Sequence, residues 1–233
     1  MALYERNNST NKYPLFKEIF KDPSTSSVLD YGGNRGNLLY FSNGEIIENT
    51  YTSIDVDIES IESGKQEFPN ANWYHYDKFN YMYNHNGQTT EFPRIENKNQ
   101  DLIWAYSVFS HTDLEELKYT LKWLTSFNFK KLAVSVLDIN TSEVLQYFYT
   151  RRVKDYGYSF KLPDLKGKDY DIVYFFDHDS LIINREVCPK LTCQHFVSFY
   201  NLDFLQDYLK QHGYTTTIKR PGDGYFPFLY IEN

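Results

Sequence analysis

Val28-Leu29-Asp30-Tyr31-Gly32-Gly33-Asn34-Arg35-Gly36-Asn37 is the stretch from which the rest of the chain can be read. A short apolar run ends in an acid and passes into a glycine-rich turn. Glycine takes positive φ and carries no Cβ, so such a turn lets backbone approach a ligand closely. A helix beginning near Gly36 aims its first amides at that ligand. Two phosphate-binding patterns fail on the letters. The dinucleotide fingerprint Gly-x-Gly-x-x-Gly, started at Gly32, meets Asn34 and Asn37; started at Gly33, it meets Arg35 and Leu38. A P-loop needs Gly-Lys-Ser/Thr, and none follows.

Outward from this turn, strand and helix patterns alternate. Residues 27–31 read as a short buried strand, and 51–56, 71–76, 101–107 and 131–137 as further strands. Thr112-Asp113-Leu114-Glu115 reads as a capping box, followed by Leu114, Leu117, Leu121 and Leu124 at helical spacing. Leu202, Leu205 and Leu209 mark a second helix with Gly213 as its cap. Residues 214–219 and 226–231 close the chain as strands around Pro221-Gly222-Asp223-Gly224. Strand–helix alternation implies an α/β fold on a mostly parallel sheet. The whole chain, 1–233, is expected to be a single domain. Two stretches break the rhythm: 78–100, rich in Asn and Tyr, and 139–200, aromatic and charged without one period. Ligands of open α/β sheets bind at the carboxyl ends of the strands. Inserts after the third and fifth strands therefore read as cap or lid segments, or as peripheral loops and hairpins.

Composition narrows the function classes. The 233 residues hold 24 Lys and Arg against 31 Asp and Glu, a net charge of −7, which argues against nucleic acid as the main partner. Hydrophobic residues at 41% and charged residues at 24% are globular usage, not that of a disordered chain. The only cysteines, Cys188 and Cys193, supply neither a disulfide framework nor a zinc site, and read as reduced thiols of a cytoplasmic protein. No apolar run reaches the ~18 residues of a membrane span, and the first residues turn polar at once, unlike a signal peptide.

Further acids sit where strands end. Ile54-Asp55-Val56-Asp57 closes the second strand, where an acid can accept hydrogen bonds from both hydroxyls of a ribose. Asp57 reads as the N-cap of the next helix. Tyr76-Asp77-Lys78 ends the third strand, and Ala105-Tyr106-Ser107-Val108-Phe109-Ser110-His111 follows the fourth. In order and spacing these segments resemble the class I S-adenosylmethionine-dependent methyltransferases, of the small-molecule type, from about residue 27 onward. Asn34 stands where that family commonly has glycine.

The resemblance implies a Rossmann-like seven-stranded sheet with an antiparallel last strand. It implies S-adenosylmethionine as cofactor and S-adenosylhomocysteine as product. By the same resemblance, Asp30, Gly32, Gly33, Asn34 and Gly36 lie at the methionine moiety and ribose, and Asp55 and Val56 at the ribose. Asp77 and Lys78 lie at the adenine, and Ala105 and Tyr106 flank the methionine. The stretch around Tyr13 begins a helix that covers the site.

Methyl transfer needs an acceptor lone pair held in line with the methyl group, and a base where the acceptor starts protonated. His111 is one candidate base, since a helix start disfavours imidazolium; a capping or packing role is its alternative. Asp177-His178-Asp179, between Tyr174-Phe175-Phe176 and Leu181-Ile182-Ile183, reads as a hairpin tip. There His178 is a second catalytic candidate, with Asp177 and Asp179 at the acceptor, or the three are turn residues. Tyr13 and Phe109 complete the expected acceptor contacts. His75, alternating with Asp77, reads as core. No metal set has credible spacing. The acceptor is expected to be a small, largely apolar molecule or a short peptide, methylated on oxygen or nitrogen, as in natural-product tailoring. The alternatives are a non-catalytic cofactor-binding domain and a peptide or protein methyltransferase.

Overall fold

The computed structural model describes residues 11–21, 26–80, 83–139, 172–175, 181–183, 197–221 and 226–233. Cys188, Cys193, the tip Asp177-His178-Asp179, most of 139–200 and residues 222–225 of the last turn lie outside the described residues. Among those described, no helix is long and apolar enough to cross a membrane.

The element order is α1 (Tyr13–Phe20), β1 (Val28–Tyr31), α2 (Asn37–Phe41), β2 (Tyr51–Asp55), α3 (Ile58–Glu67), β3 (Asn72–His75), β4 (Asn99–Ala105), α4 (Leu114–Leu124) and β5 (Asn128–Ser135). Then come β6 (Ile172–Phe175), β7 (Leu181–Ile183), β8 (Val197–Tyr200), α5 (Leu202–Gln211), β9 (Thr216–Lys219) and β10 (Phe228–Glu232). Seven strands form one sheet in the order β3-β2-β1-β4-β5-β10-β9. β1 pairs in parallel with β2 and with β4, setting Asp30 opposite Ser53 on one side and Trp104 on the other. β9 and β10 pair antiparallel. Val136 N–H donates to the Pro227 carbonyl and Asn233 N–H to the Lys130 carbonyl, so β10 descends as β5 ascends. The expected antiparallel last strand is therefore present. β7-β6-β8 form a separate antiparallel sheet of three strands. Phe175 pairs with Leu181, so the described strands on either side of 176–180 pair antiparallel, as expected of a hairpin's two arms.

The chain gathers into two compact units. The first holds the described residues through Ala105, with Phe127–Ala133 and Asn233. The second holds Tyr106–Ser126 and the described residues of 134–232. In the first, β1 is buried along its whole length, as a strand covered on both faces must be. Beside it in the sheet, β4 carries the buried Trp104, which Phe16 and Phe20 of α1 meet edge-on at centroid distances of 5.3 and 5.9 Å. Edge-to-face rings add about 0.5–1.5 kcal/mol beyond their buried area.

In the second unit, α4 buries Leu114, Leu117, Leu121 and Leu124, the spacing read from the sequence. Its cap lies one residue later than expected. Asp113, not Thr112, is the N-cap, and its carboxylate accepts the Glu116 N–H at 2.8 Å. Thr112 instead turns its carbonyl inward to two side-chain donors from β8. α5 ends as Gly213 predicts: φ is +89°, Gly213 N–H reaches the Lys210 carbonyl and Tyr214 N–H the Leu209 carbonyl, the Schellman arrangement.

Candidate functional site

The turn after β1 is fixed from below. Gly32 and Gly33 N–H both donate to the Ile54 carbonyl of β2, at 2.8 and 3.3 Å, and Gly36 N–H returns to the Gly33 carbonyl at 3.0 Å. These amides are used inside the fold. What the turn offers a ligand is close backbone approach rather than those donors. A Cβ on Gly33 would strike Ser53 Oγ and lie 3.0 Å from Asp30 Cγ. Gly36, the N-cap of α2, sits at φ +75°, and a Cβ there would stand 2.7 Å from Trp73 Cη2. Asn34, where the resemblance expects glycine, also lies in the left-handed region at φ +51°. Asparagine is among the few residues that tolerate it.

Asn34 N–H donates to Asp55 Oδ2 at 2.7 Å, and Asp57 N–H to Asp55 Oδ1 at 2.9 Å. The carboxylate at the end of β2 thus ties the glycine turn to the loop that starts α3. The Val56 N–H acts on the same carboxylate, and with about four acceptor positions an ionised carboxylate can still accept a further donor. That remaining acceptor capacity fits the hydroxyls of a ribose. Burial pushes the Asp55 pKa up, opposed by the amides of Asp57 and Asn34. Asp57 caps α3, as expected. Val56 is half-buried, and its carbonyl lies 3.1 Å from His75 Nε2. A carbonyl only accepts, so that nitrogen carries the proton. His75 is therefore a strut beneath the Val56 loop, a role its alternation with Asp77 did not disclose.

Asp30 is buried at 4% exposure, and Tyr51 is wholly buried with its hydroxyl 2.5 Å from Asp30 Oδ2. Burial lifts the Asp30 pKa to about 7, against the Tyr51 hydrogen bond, with the charge of Asp55 adding to the rise. Burial and the Asp30 charge push the Tyr51 phenol well above its ordinary range. Tyr51 is the residue that sequence reasoning missed. Only its place two residues from Ser53, and so on the face of β2 that neighbours Asp30, could have suggested it.

Asp77 is exposed after β3, and its Oδ1 accepts Asn84 Nδ2 at 3.1 Å. Its carbonyl accepts the Gln88 and Thr89 N–H groups, both at 2.9 Å. The stretch after it is thereby a loop folded back on Asp77. Lys78 is half-buried at the start of that loop. Ala105, at the end of β4, is fully buried. Tyr13 opens α1 with its ring stacked on Phe16, 5% exposed, so it is a core residue before it is a contact for any acceptor.

In the second unit, Tyr106 packs on Phe226 and Phe228, and burial pushes its phenol up to about 12. Ser107 turns the chain at φ +59°, its N–H held by Ser135 Oγ at 2.7 Å. A 3-10 turn then carries Phe109–His111. Phe109, expected at the acceptor, is wholly buried and belongs to the core beneath the turn. His111 remains half-exposed, two residues before the α4 cap. Among the described residues no group of His, Cys, Asp and Glu is gathered as a metal site.

No family model matches the sequence, and no curated protein matches it. Solved structures do. The magnesium protoporphyrin IX methyltransferase ChlM of Synechocystis PCC 6803, with bound SAH, is similar over 97% of this chain and 82% of its own, at TM-score 0.54 and 11% identity. An S-adenosylmethionine-dependent methyltransferase from Clostridium acetobutylicum ATCC 824 is similar over 98% and 92%, at TM-score 0.54 and 14% identity. The methyltransferase domain of bacterial CtHen1-C is similar over 97% and 98%, at TM-score 0.55 and 14% identity. Taken with the strand order and the antiparallel final pair, these likenesses show that the chain has the fold of the class I S-adenosylmethionine-dependent methyltransferases.

Proposed function

We propose that this protein is an S-adenosylmethionine-dependent methyltransferase, acting on oxygen or nitrogen of a small molecule or short peptide, with the whole chain serving as one catalytic module. The observation that carries this reading is Asp55. It joins the glycine turn to the α3 loop through two backbone amides and can still accept a further donor. Asp55 and Val56 would hold the ribose, and Asp77 and Lys78 the adenine. The turn from Gly32 to Gly36, with Asp30, Ala105 and Tyr106, would hold the methionine part. When bound, S-adenosylmethionine supplies a methyl group on a sulfonium whose departure as a thioether needs no acid.

What remains for the chain is to orient the acceptor and take its proton. His111 is assigned the proton, as the half-exposed imidazole on the turn after β4; His178, with Asp177 and Asp179, is the second assignment. The net charge of −7 favours a neutral or cationic acceptor over a polyanion. The small-molecule assignment gains support from similarity to the mitomycin 7-O-methyltransferase MmcR, at TM-score 0.56 and 12% identity over 97% of this chain and 54% of that one.

The test is calorimetric titration with S-adenosylmethionine, S-adenosylhomocysteine and, as control, NAD. Binding of both sulfur ligands and not of NAD is expected. Binding of neither would return the chain to an α/β fold of another function. Asp55→Ala should weaken binding by about 1–3 kcal/mol, the cost of leaving buried hydrogen-bond partners unmet. Product formation with a screened acceptor then separates an enzyme from a binding domain.

A further inference from the structure

We propose that Tyr51, which lies outside every motif of the sequence, is a positioning residue for the cofactor: its hydroxyl donates to Asp30, holds that carboxylate against the underside of the glycine turn and favours its ionised form. The proposal rests on the methyltransferase reading, and it is carried by three observations. Tyr51 is 0% exposed and its hydroxyl lies 2.5 Å from Asp30 Oδ2, so the bond is formed out of reach of water. Asp30 is packed so closely under the turn that a Cβ on Gly33 would be 3.0 Å from its Cγ. The register of β1 on β2 sets Asp30 opposite Ser53, which brings the Tyr51 side chain to it from two residues below on the same face.

The consequence is electrostatic. A buried carboxylate without a donor takes up a proton, and an O–H donated to it favours the ionised form. Among the described residues, the titratable groups acting on Asp30 are Tyr51 and Asp55, both of β2. Its neighbour on β4 is Trp104, which carries no charge. Asp55 opposes ionisation of Asp30, and the Tyr51 hydroxyl favours it. S-adenosylmethionine brings a sulfonium and an ammonium, and an ionised acid under the turn attracts both where a neutral one does not. Without the phenol, Asp30 keeps its place in the strand but holds its proton to a higher pH.

The experiment compares wild type, Y51F and Y214F. Tyr214 also donates from a packed position, to the Thr125 carbonyl at 2.9 Å, in the second unit. Each protein is titrated calorimetrically with S-adenosylhomocysteine, whose own ammonium titration is common to all three, from about pH 6 to about pH 9. For Y51F the affinity near pH 7 should fall roughly 10-fold, a loss of about 1.4 kcal/mol, and should approach the wild-type value at the upper end. Y214F should follow wild type throughout. A Y51F curve parallel to wild type at every pH, or lowered equally at every pH, would overturn the proposal and leave the methyltransferase reading standing. Failure of wild type to bind would overturn both. Infrared difference spectra need no ligand. A protonated-carboxyl band absent from D30N should titrate near pH 7 in wild type and higher in Y51F. The same midpoint in both proteins would also overturn the proposal.

Discussion

The turns that follow β1 and β4 are held in opposite ways. The turn after β1 is held by backbone. Its amides run to the carbonyl and carboxylate of the adjacent strand, and its φ angles demand glycine or asparagine at Asn34 and Gly36. The turn after β4 is held by side chains arriving from far along the chain. Ser135 Oγ accepts the Ser107 N–H, while Ser198 and Tyr200 both donate to the Thr112 carbonyl. A turn held by backbone restricts which residues can stand in it. One held by distant side chains restricts fewer of its own letters, here Ser107 at φ +59°. The first can therefore be found by reading, and the second only by folding.

The largest expected effect falls on the backbone-held turn. Gly36→Val meets two penalties: the left-handed φ, about 1–2 kcal/mol, and the overlap with Trp73, about 1–3 kcal/mol for overpacking. Unfolding in urea should show a loss of roughly 2–5 kcal/mol. Trp73 also lies against Gly64 of α3 and donates its indole N–H to the Phe68 carbonyl at 3.0 Å, so it has little room to yield. Adding Trp73→Leu should recover the overlap and not the φ penalty. Full tolerance of Gly36→Val would show that this turn is no more demanding than the other.

The next effect separates the turns by pH. The folded-state pKa of Asp30, about 7, stands above its ordinary 3.8. Below both values the acid is protonated in either state. Between them the folded state holds a proton that the unfolded state has released. Stability from this group is therefore present at low pH, falls as pH rises through the folded pKa, and is level above it. D30N does not titrate. Its melting temperature relative to wild type should rise between about pH 4 and about pH 7 and then stay constant. A constant difference across that range would mean that Asp30 ionises normally under its turn.

How much could be read beforehand follows the same division. β1, β2, the acid Asp55 and the α3 cap at Asp57 were legible because each is a local pattern: apolar run, strand-ending acid, short polar side chain before a helix. Tyr51 was not, because nothing local distinguishes it from the other tyrosines among 22. Its role exists only through the parallel register that sets Tyr51 opposite Val28 and Ser53 opposite Asp30. The cap of α4 was misplaced by one residue for a related reason. Thr112 and Asp113 are both able caps, and the choice is made by Ser198 and Tyr200, which claim the Thr112 carbonyl. Phe109 is expected among the acceptor contacts. It is buried because the 3-10 turn rotates it inward and leaves His111 half-exposed.

On the second turn, His111→Ala tests the proposed proton transfer. Turnover should fall about 100-fold while binding of S-adenosylhomocysteine stays unchanged, since a general base contributes about 10²–10⁴ and holds no cofactor. A fall in affinity without a fall in rate at saturation would assign His111 to binding instead.

The smallest effects lie in the side chains that hold this turn. Ser198 Oγ reaches the Thr112 carbonyl at 2.5 Å and Tyr200 Oη reaches it at 2.7 Å. The Tyr200 hydroxyl also lies 3.1 Å from Thr112 Oγ1, itself bonded to the Phe109 carbonyl at 3.2 Å. Ser198→Ala or Tyr200→Phe alone leaves the carbonyl one donor, so each should cost about 1 kcal/mol in urea unfolding. The double variant removes both side-chain donors from a buried oxygen, whose desolvation alone is worth about 1–3 kcal/mol. Its loss should therefore exceed the sum of the single losses, which neighbours sharing one partner are free to do. Simple additivity would mean that water or another donor replaces the missing pair. The turn after β4 would then be held less by these distant side chains than by its own backbone, and the contrast with the turn after β1 would narrow.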